Sequence, residues 1–142
     1  MRPRIKICCI ANEREAAAAI AFGASAIGLV GAMPSGPGPI SDEEILRIAR
    51  TVPPPIATFL LTSQQTARGI IDHHHRTKTN TVQIVDELDG RDYAAIRAAL
   101  PNVKLVQVIH VTGERSVDEA AELANQTDAT LLAMGHPKRA AQ

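Results

Sequence analysis

Short runs of apolar, often β-branched residues alternate with longer Ala-rich amphipathic stretches along the whole chain. The short runs predict six strands, and the longer stretches predict the helices that follow them. The predicted strands are Ile5–Ile10, Ala26–Val30, Ile56–Leu61, Thr81–Val85, Leu105–Val111 and Ala129–Leu132. The predicted helices run from about Glu13 to Phe22, Ser41 to Arg50, Ser63 to His75, Asp89 or Gly90 to Leu100, and Ser116 to Asn125.

This β-α repeat has no linker and no shift in composition, and it therefore predicts one α/β domain over residues 1–142 with a parallel sheet. Capping signals support the helix starts: Asn12 precedes the first helix, and Ser41 with Glu44 forms a capping-box pattern. Ser116 with Glu119 has the same spacing and predicts the start of the last helix.

A doubly wound sheet and a barrel both fit this repeat, and the two faces of the strands favour the barrel. In the first strand Lys6 and Cys8 share one face, and Ile5, Ile7 and Cys9 share the other. In the fourth strand Gln83 lies opposite its apolar neighbours. One apolar face against helices and one partly polar face toward an interior are typical of a parallel (βα)-barrel. By this alternation Cys9 is expected in the core, under the helices.

Composition narrows the possible partners. The chain has 15 basic and 15 acidic residues and only 2% aromatics, so it lacks both a basic surface and stacking platforms for bases. We therefore expect no nucleic-acid partner. No run is long and apolar enough to cross a membrane, so no membrane partner is expected either. The two cysteines, Cys8 and Cys9, are adjacent and cannot form an ordinary disulfide with each other, and no signal peptide is visible; a cytoplasmic location is expected.

Four short motifs occur in order along the chain: Lys6-Ile-Cys8, Gly23-Ala-Ser-Ala-Ile-Gly-Leu-Val30, Val82-Gln-Ile84 and Asp128-Ala-Thr-Leu-Leu132. In these motifs and their spacing the chain resembles the phosphoribosylanthranilate isomerase family. The resemblance extends from residue 4 to about residue 135 and implies the N-terminal two-thirds of a (βα)8 TIM-type barrel, truncated after about six βα units.

The resemblance implies an aldose–ketose Amadori isomerisation in tryptophan biosynthesis, on a small phosphorylated sugar and without a cofactor or metal. A base removes the C2 proton and an acid opens the ribose ring. The base of the family falls on Cys8, whose thiolate is available near neutral pH and is favoured by a cation such as Lys6. Lys6, Gln83 and His110 are the expected substrate-binding residues. The alternative for Cys8 is a small buried apolar residue.

The chain also departs from the family pattern. Ala133 stands where the family has its general acid Asp, and Cys9 replaces a Gly. The loop Ser35-Gly-Pro-Gly38 lacks the Arg of the family's SPR, and Val82-Gln-Ile-Val-Asp86 lacks the His of VQLHG. The family's Gly-rich phosphate loop and last two strands would follow Gln142. These departures lead us to expect no activity from this chain alone.

Three further features have competing interpretations. His73, His74 and His75 point in different directions on a helix, so a solvated helix end is favoured over a metal site. His110, at the end of the fifth strand, is either a structural residue bonded to a carbonyl or a catalytic one. The run Ser35–Pro39 is interpreted as a plain loop on the active-site side, because it lacks a P-loop Lys.

Two hypotheses of different classes follow. The first is an isomerase with Cys8 as the base. The second is a non-catalytic partial barrel that binds a small phosphorylated ligand or assembles with another chain. Because six strands leave Ile5–Ile10 and Ala129–Leu132 as open edges, a homodimer through those edges is expected.

Overall fold

The computed structural model of the protein describes residues 1–134. Its centre is a parallel sheet of six strands in the order β1-β2-β3-β4-β5-β6. The strands are β1 (Lys6–Ile7), β2 (Ala26–Val30), β3 (Ala57–Thr62), β4 (Thr81–Ile84), β5 (Lys104–His110) and β6 (Ala129–Ala133). The helices between them are α1 (Glu13–Ala21), α2 (Asp42–Thr51), α3 (Ala67–Thr77), α4 (Tyr93–Ala99) and α5 (Arg115–Leu123), with a 3₁₀ turn at Asp89–Arg91.

The strand order decides between the two architectures that the sequence left open. A doubly wound sheet reverses its strand order at a switch point, whereas every strand between residues 1 and 134 pairs with its neighbours in sequence. The sheet is also curled, because Lys6 on β1 donates a hydrogen bond to Gln83 on β4. In a flat sheet these strands would lie about 14 Å apart. The fold is therefore a (βα)-barrel type in which six strands form the curled wall.

The core lies between the outer face of this sheet and the helices. Alternate strand residues point outward and are fully buried, such as Leu29 on β2 and Leu60 on β3. The helices contribute one apolar face each. The buried helix residues of this core include Ile45, Ile48, Ile70, Ile96 and Leu123. The alternation that predicted an apolar face against helices is confirmed for these strands.

Two predicted helix starts were correct. The side chain of Asn12 accepts a hydrogen bond from the Glu15 backbone N–H, and that of Ser41 accepts one from the Glu44 N–H. Each satisfies a backbone donor that the first helical turn leaves unpaired. At the end of α1, Gly23 adopts φ +98°, which explains why a glycine ends this unit.

Two other predicted starts were wrong. Ser63 does not open α3; Thr66 caps it through the Gly69 N–H, while the Ser63 hydroxyl donates to the Ala32 carbonyl. Ser116 does not cap α5, which begins at Arg115, and its hydroxyl instead accepts from the Thr112 N–H. In both cases the serine hydroxyl forms a hydrogen bond with the backbone of a loop instead of capping the helix. The sequence pattern does not distinguish these two kinds of bond.

The two ends of the sheet expose apolar side chains. At one end Ile5, Ile7 and Phe22 are 51%, 41% and 93% exposed, and they line a groove of about 480 Å³ between β1 and α1. We call these three residues the β1 edge surface. At the other end Val117, Leu132 and Met134 are 69%, 59% and 87% exposed. We call these three the β6 edge surface.

Candidate active site at the carboxyl ends of the strands

Cys8 lies immediately after β1, at the carboxyl end of the sheet, and its side chain is exposed. It lies over β2 because residue 28 is a glycine: a Cβ there would be only 2.8 Å from the Cys8 Sγ. Barrel enzymes keep their reacting groups at this end of the strands. The burial expected under the alternative interpretation of Cys8 is absent, and the thiol is open to solvent.

Lys6 and Gln83 meet on the inner face of the sheet. The Lys6 ammonium donates to the Gln83 side-chain oxygen and lies 4.7 Å from the centre of the Phe59 ring. Burial lowers the pKa of Lys6 below its usual value, while the nearby thiols of Cys8 and Cys9 act in the opposite direction. A cation over an aromatic face retains part of the stabilisation that it loses on leaving water. The pair therefore places a partly buried positive charge on the inner face of the sheet, close to Cys8.

Cys9 is not in the core, contrary to the prediction from strand alternation. The strand ends at Ile7, and Cys9 adopts a left-handed φ of +59°, so the alternation of the strand does not extend to Cys9. Its Sγ lies 3.6 Å from the Pro37 carbonyl oxygen, and the next residue, Ile10, takes the core position. Burial raises the pKa of the Cys9 thiol, and the neighbouring Cys8 raises it further. Cys9 therefore contacts a loop, and its burial disfavours the thiolate form.

The segment Ser35–Pro39 is part of the connection between β2 and α2 and lies on the same side as Cys9, as expected of a loop at the active-site end. Gly36 and Gly38 adopt φ values of +106° and +88°. A Cβ at residue 38 would be 2.8 Å from the Cys9 Cβ, so only glycine permits this approach. The loop contacts Cys9 through its backbone, and the segment Ser35–Pro39 presents no cationic side chain.

His110 ends β5 on the inner face, and its Nε2 lies 3.1 Å from the Val85 carbonyl oxygen. A hydrogen bond to a carbonyl is what the structural interpretation of this histidine predicts. His110 pairs in register with Ala133 on β6. A carboxylate at residue 133 would therefore emerge beside the imidazole; the methyl group of Ala133 can neither donate nor accept a proton.

The three consecutive histidines are not a solvated helix end, which corrects the prediction. His73 and His74 are 3% and 7% exposed, and only His75 faces solvent. His73 Nδ1 lies 2.8 Å from the Thr62 hydroxyl, and its Nε2 lies 3.0 Å from an Asp42 carboxylate oxygen. His74 Nε2 bonds the Thr79 carbonyl at 2.6 Å. Among residues 1–134 no group of three potential ligands could hold a metal ion.

Sequence reasoning missed two polar residues that form hydrogen bonds on the helix side of the sheet, Gln107 and Asp42. Gln107 is buried on the helix side, accepts a hydrogen bond from the Tyr93 hydroxyl at 2.8 Å, and donates to the Asp86 carbonyl at 2.9 Å. Asp42 binds both His73 and Arg76. The signal for Gln107 was a polar residue at an outward position of an apolar strand. For Asp42 no sequence signal existed, because its partners lie on another helix.

The fold and this arrangement define a class: a partial (βα)-barrel whose candidate site lies at the carboxyl ends of its strands, with a thiol on the first of them. No family model matches the chain. It is 30% identical over 132 residues to the N-(5'-phosphoribosyl)anthranilate isomerase of Halobacterium salinarum, a match covering 91% of the chain and 57% of that protein. The chain is therefore similar to phosphoribosylanthranilate isomerases over most of its own length, and it spans little more than half the length of that curated relative.

Solved structures agree. The crystal structure of phosphoribosylanthranilate isomerase from Thermotoga maritima matches with a TM-score of 0.80 and 25% identity, covering 96% of this chain and 64% of that one. A second isomerase structure contains reduced 1-(o-carboxyphenylamino)-1-deoxyribulose 5-phosphate, and it matches with a TM-score of 0.76 over 94% of this chain and 66% of that one. A further matching structure, with a TM-score of 0.73, is of monomers generated from the dimeric T. maritima isomerase. Among the described residues, no helix is long and apolar enough to cross a bilayer.

Proposed function

We propose that this chain provides the base side of an Amadori-type aldose–ketose isomerase site, with Cys8 as the base. The observation that carries this proposal is the position of the Cys8 thiol: it is exposed, at the carboxyl end of β1, and directed over Gly28 on β2. The substrate class is a phosphorylated sugar carrying an aromatic amine, as in the ligand of the related isomerase structure. The chemistry is an isomerisation and needs no cofactor.

The proposed reaction moves protons only. An acid first protonates the ribose ring oxygen, which opens the ring and leaves a protonated imine at C1. The Cys8 thiolate then takes the C2 proton, and the electron pair left on C2 neutralises the imine, giving an enolamine. Tautomerisation of the enolamine produces the ketose. Lys6 is placed to favour a thiolate, since a nearby cation stabilises negative charge.

Lys6, Gln83 and His110 are the proposed substrate-contacting residues on the inner face. Lys6 and Gln83 form one unit, in which the amide holds the ammonium toward the interior. His110 lies at the carboxyl end of β5, in register with residue 133. A phosphorylated ligand would meet a cationic and polar wall here, on the same inner face that Cys8 overlooks.

The acid is the missing function. Ala133 occupies the position that the family resemblance assigns to it, so residues 1–134 supply a base without its partner acid there. General acid or base groups each contribute on the order of 10²- to 10⁴-fold to a rate. We therefore propose that the chain alone does not turn over substrate, and that the site becomes complete only with groups from outside these residues.

The direct test is a fluorescence assay of phosphoribosylanthranilate consumption. The purified chain should remain at the uncatalysed rate, and Ala133→Asp alone should not restore turnover. Turnover by the unmodified chain that disappears in Cys8→Ser would contradict the proposed inactivity while supporting Cys8 as the base. Turnover that survives Cys8→Ser would overturn the role of Cys8.

Ligand binding is tested separately from turnover. The reduced ketose phosphate found in the related structure should slow alkylation of Cys8 in the native chain, with inorganic phosphate at the same concentration as the control. If neither compound changes the alkylation rate, the proposed ligand class is wrong. Protection by phosphate to the same degree would show that only the anion is recognised.

A second candidate function is assembly, which the two apolar edge surfaces favour. Among residues 1–134, β1 and β6 each have a strand neighbour on one side only, and Ile7 and Leu132 on these edge strands are exposed. Association of two copies would cover both.

We also propose a reducing, cytoplasmic location, consistent with two free cysteines that the structure places in no disulfide.

A further inference from the structure

The His73 imidazole contacts residues at both ends of the loop whose tip contacts Cys9. We name residues 31–41, between β2 and α2, the β2–α2 loop. At its start, Gly31 packs directly on the His73 ring: a Cβ on residue 31 would be 2.4 Å from the ring Cε1 and 2.7 Å from Nε2. Just after its end, Asp42 accepts from His73 Nε2 at 3.0 Å. His73 itself belongs to α3 and is 3% exposed.

The hydrogen bonds around His73 form a complete chain for one protonation state. The Asp42 carboxylate accepts only, so His73 Nε2 carries the hydrogen and Nδ1 is free to accept from the Thr62 hydroxyl at 2.8 Å. The Thr62 oxygen in turn accepts from the Gln64 N–H at 3.2 Å. The second Asp42 oxygen accepts from Arg76 Nε at 2.6 Å. Both ring nitrogens of the buried His73 and both carboxylate oxygens of Asp42 have a partner when the imidazole is neutral.

The loop between these two ends reaches the candidate site. Its tip contacts Cys9 twice, through the Pro37 carbonyl at 3.6 Å from Sγ and through Gly38, whose backbone approaches the Cys9 Cβ. Near its ends the loop is held by the Gly31 N–H to the Leu61 carbonyl and by the Ile40 N–H to the Val30 carbonyl, at 3.0 and 2.9 Å. The tip has no comparable bond to the sheet among the described residues. Its position over Cys9 therefore depends on how its two ends are fixed.

We propose that His73 is a positioning residue that clamps the two ends of the β2–α2 loop and so holds the loop over Cys9, beside the base Cys8. His73 touches neither thiol and acts only through the loop. Asp42 and Arg76 serve the same clamp, because they fix the imidazole in the orientation in which Gly31 can lie against it. Cys8 can act as a base even if His73 does not hold the loop, and His73 can hold the loop even if Cys8 is not a base. The two proposals are therefore tested separately.

The alkylation rate of Cys9 in the native protein reports the loop position. The full chain is treated with iodoacetamide at constant pH, and each thiol is quantified by peptide mapping. His73→Phe keeps a ring but removes both hydrogen bonds, and it leaves the Asp42 carboxylate without one partner; we expect Cys9 labelling to rise on the order of tenfold. His73→Gln places an amide N–H near the former Nε2 and should restore most of the protection.

A matched control lies one residue away. His74 is also buried on α3 but bonds the Thr79 carbonyl, away from the loop. His74→Phe should cost stability without changing Cys9 labelling. Labelling of the exposed Cys8 provides the internal reference in every variant. Should His73→Phe fail to fold, Asp42→Ala releases the same loop from a more exposed position and should also speed Cys9 labelling. Unchanged Cys9 labelling in a folded His73→Phe or Asp42→Ala variant, or an equal rise in His74→Phe, overturns the clamp.

Discussion

The Lys6 ammonium on β1 donates a hydrogen bond to Gln83 on β4, so one side-chain contact spans four neighbouring strands. The ammonium also lies 4.7 Å from the centre of the Phe59 ring on β3, so this ring supports the contact. Phe59 pairs in register with Gly28 on β2, where the missing side chain admits the Cys8 thiol. The pair can form only in a curled sheet, and it places a charged and a polar side chain on the inner face.

Removing the acceptor of this pair should destabilise the protein. In Gln83→Leu the Lys6 ammonium remains partly buried and loses its hydrogen bond, and we expect the free energy of unfolding to fall by about 1–3 kcal/mol. Gln83→Glu, which keeps an acceptor and adds an opposite charge, is the matched control and should be at least as stable as the parent. Urea denaturation measures both. Equal stability of Gln83→Leu and the parent would show that the contact contributes nothing.

The buried histidines predict a loss of stability in mild acid. Burial lowers the pKa of His73, with Asp42 acting in the opposite direction, and burial also lowers the pKa of His74. The unfolded chain therefore takes up more protons than the folded chain as the pH falls through and below about 6.5. Stability is fully present above that pH and falls below it, by up to about 1.4 kcal/mol per pH unit for each proton taken up.

Urea midpoints measured from pH 7.5 to pH 5 check this prediction. His73→Gln should flatten the pH dependence, whereas replacement of the exposed His75 by Gln should leave it unchanged. Asp42 acts in the same direction at lower pH: burial opposes its ionisation, but Arg76 and His73 hold the pKa of this carboxyl below its usual value. Its contribution is lost only as the pH falls below about 3.9. Stability that rises toward pH 5 would contradict the assignment.

The two adjacent thiols should differ in reactivity. Cys8 is exposed, whereas Cys9 lies under the β2–α2 loop and has a pKa raised by burial. Cys8 is therefore the more accessible thiol, and the raised pKa of Cys9 slows the reaction of Cys9 itself. Brief alkylation of the native chain at pH 7.5 should label Cys8 first, and labelling in urea should remove the difference. Preferential labelling of Cys9 in the native protein would show that the loop does not cover it.

The sequence predicted the outline of this site better than its details. Lys6 and Gln83 could be assigned to an inner face because strand alternation is strict within β1 and β4. The same rule failed at Cys9, because β1 ends two residues earlier, at Ile7, and is shorter than the apolar run from which it was predicted. His73 was misjudged because helical spacing alone does not reveal what packs on a helix: its partners, Thr62 and Asp42, come from a strand and from the start of another helix. Such contacts are set by tertiary packing.

The edge surfaces lead to the last prediction, which is self-association. Phe22 and Leu132 are large, apolar and 93% and 59% exposed at opposite ends of the sheet, beside strands that have one strand neighbour each among residues 1–134. Covering one such side chain stabilises an interface by about 1.5–3 kcal/mol. We expect the chain to form a dimer whose dissociation is visible on dilution, because a closed symmetric pair is the simplest way to cover both edges. Sedimentation velocity over a wide concentration range measures this.

Single charges at these positions should separate the copies. Phe22→Glu and Leu132→Glu should each weaken association tenfold or more, since about 1.4 kcal/mol corresponds to a factor of ten. Arg68→Glu provides the control, because its side chain is 92% exposed on α3, far from either edge. It changes the charge without touching an apolar surface and should leave association unaltered. A parent chain that stays a compact, cooperatively unfolding monomer at high concentration would rule out pairing through these edges, since both surfaces would then tolerate water.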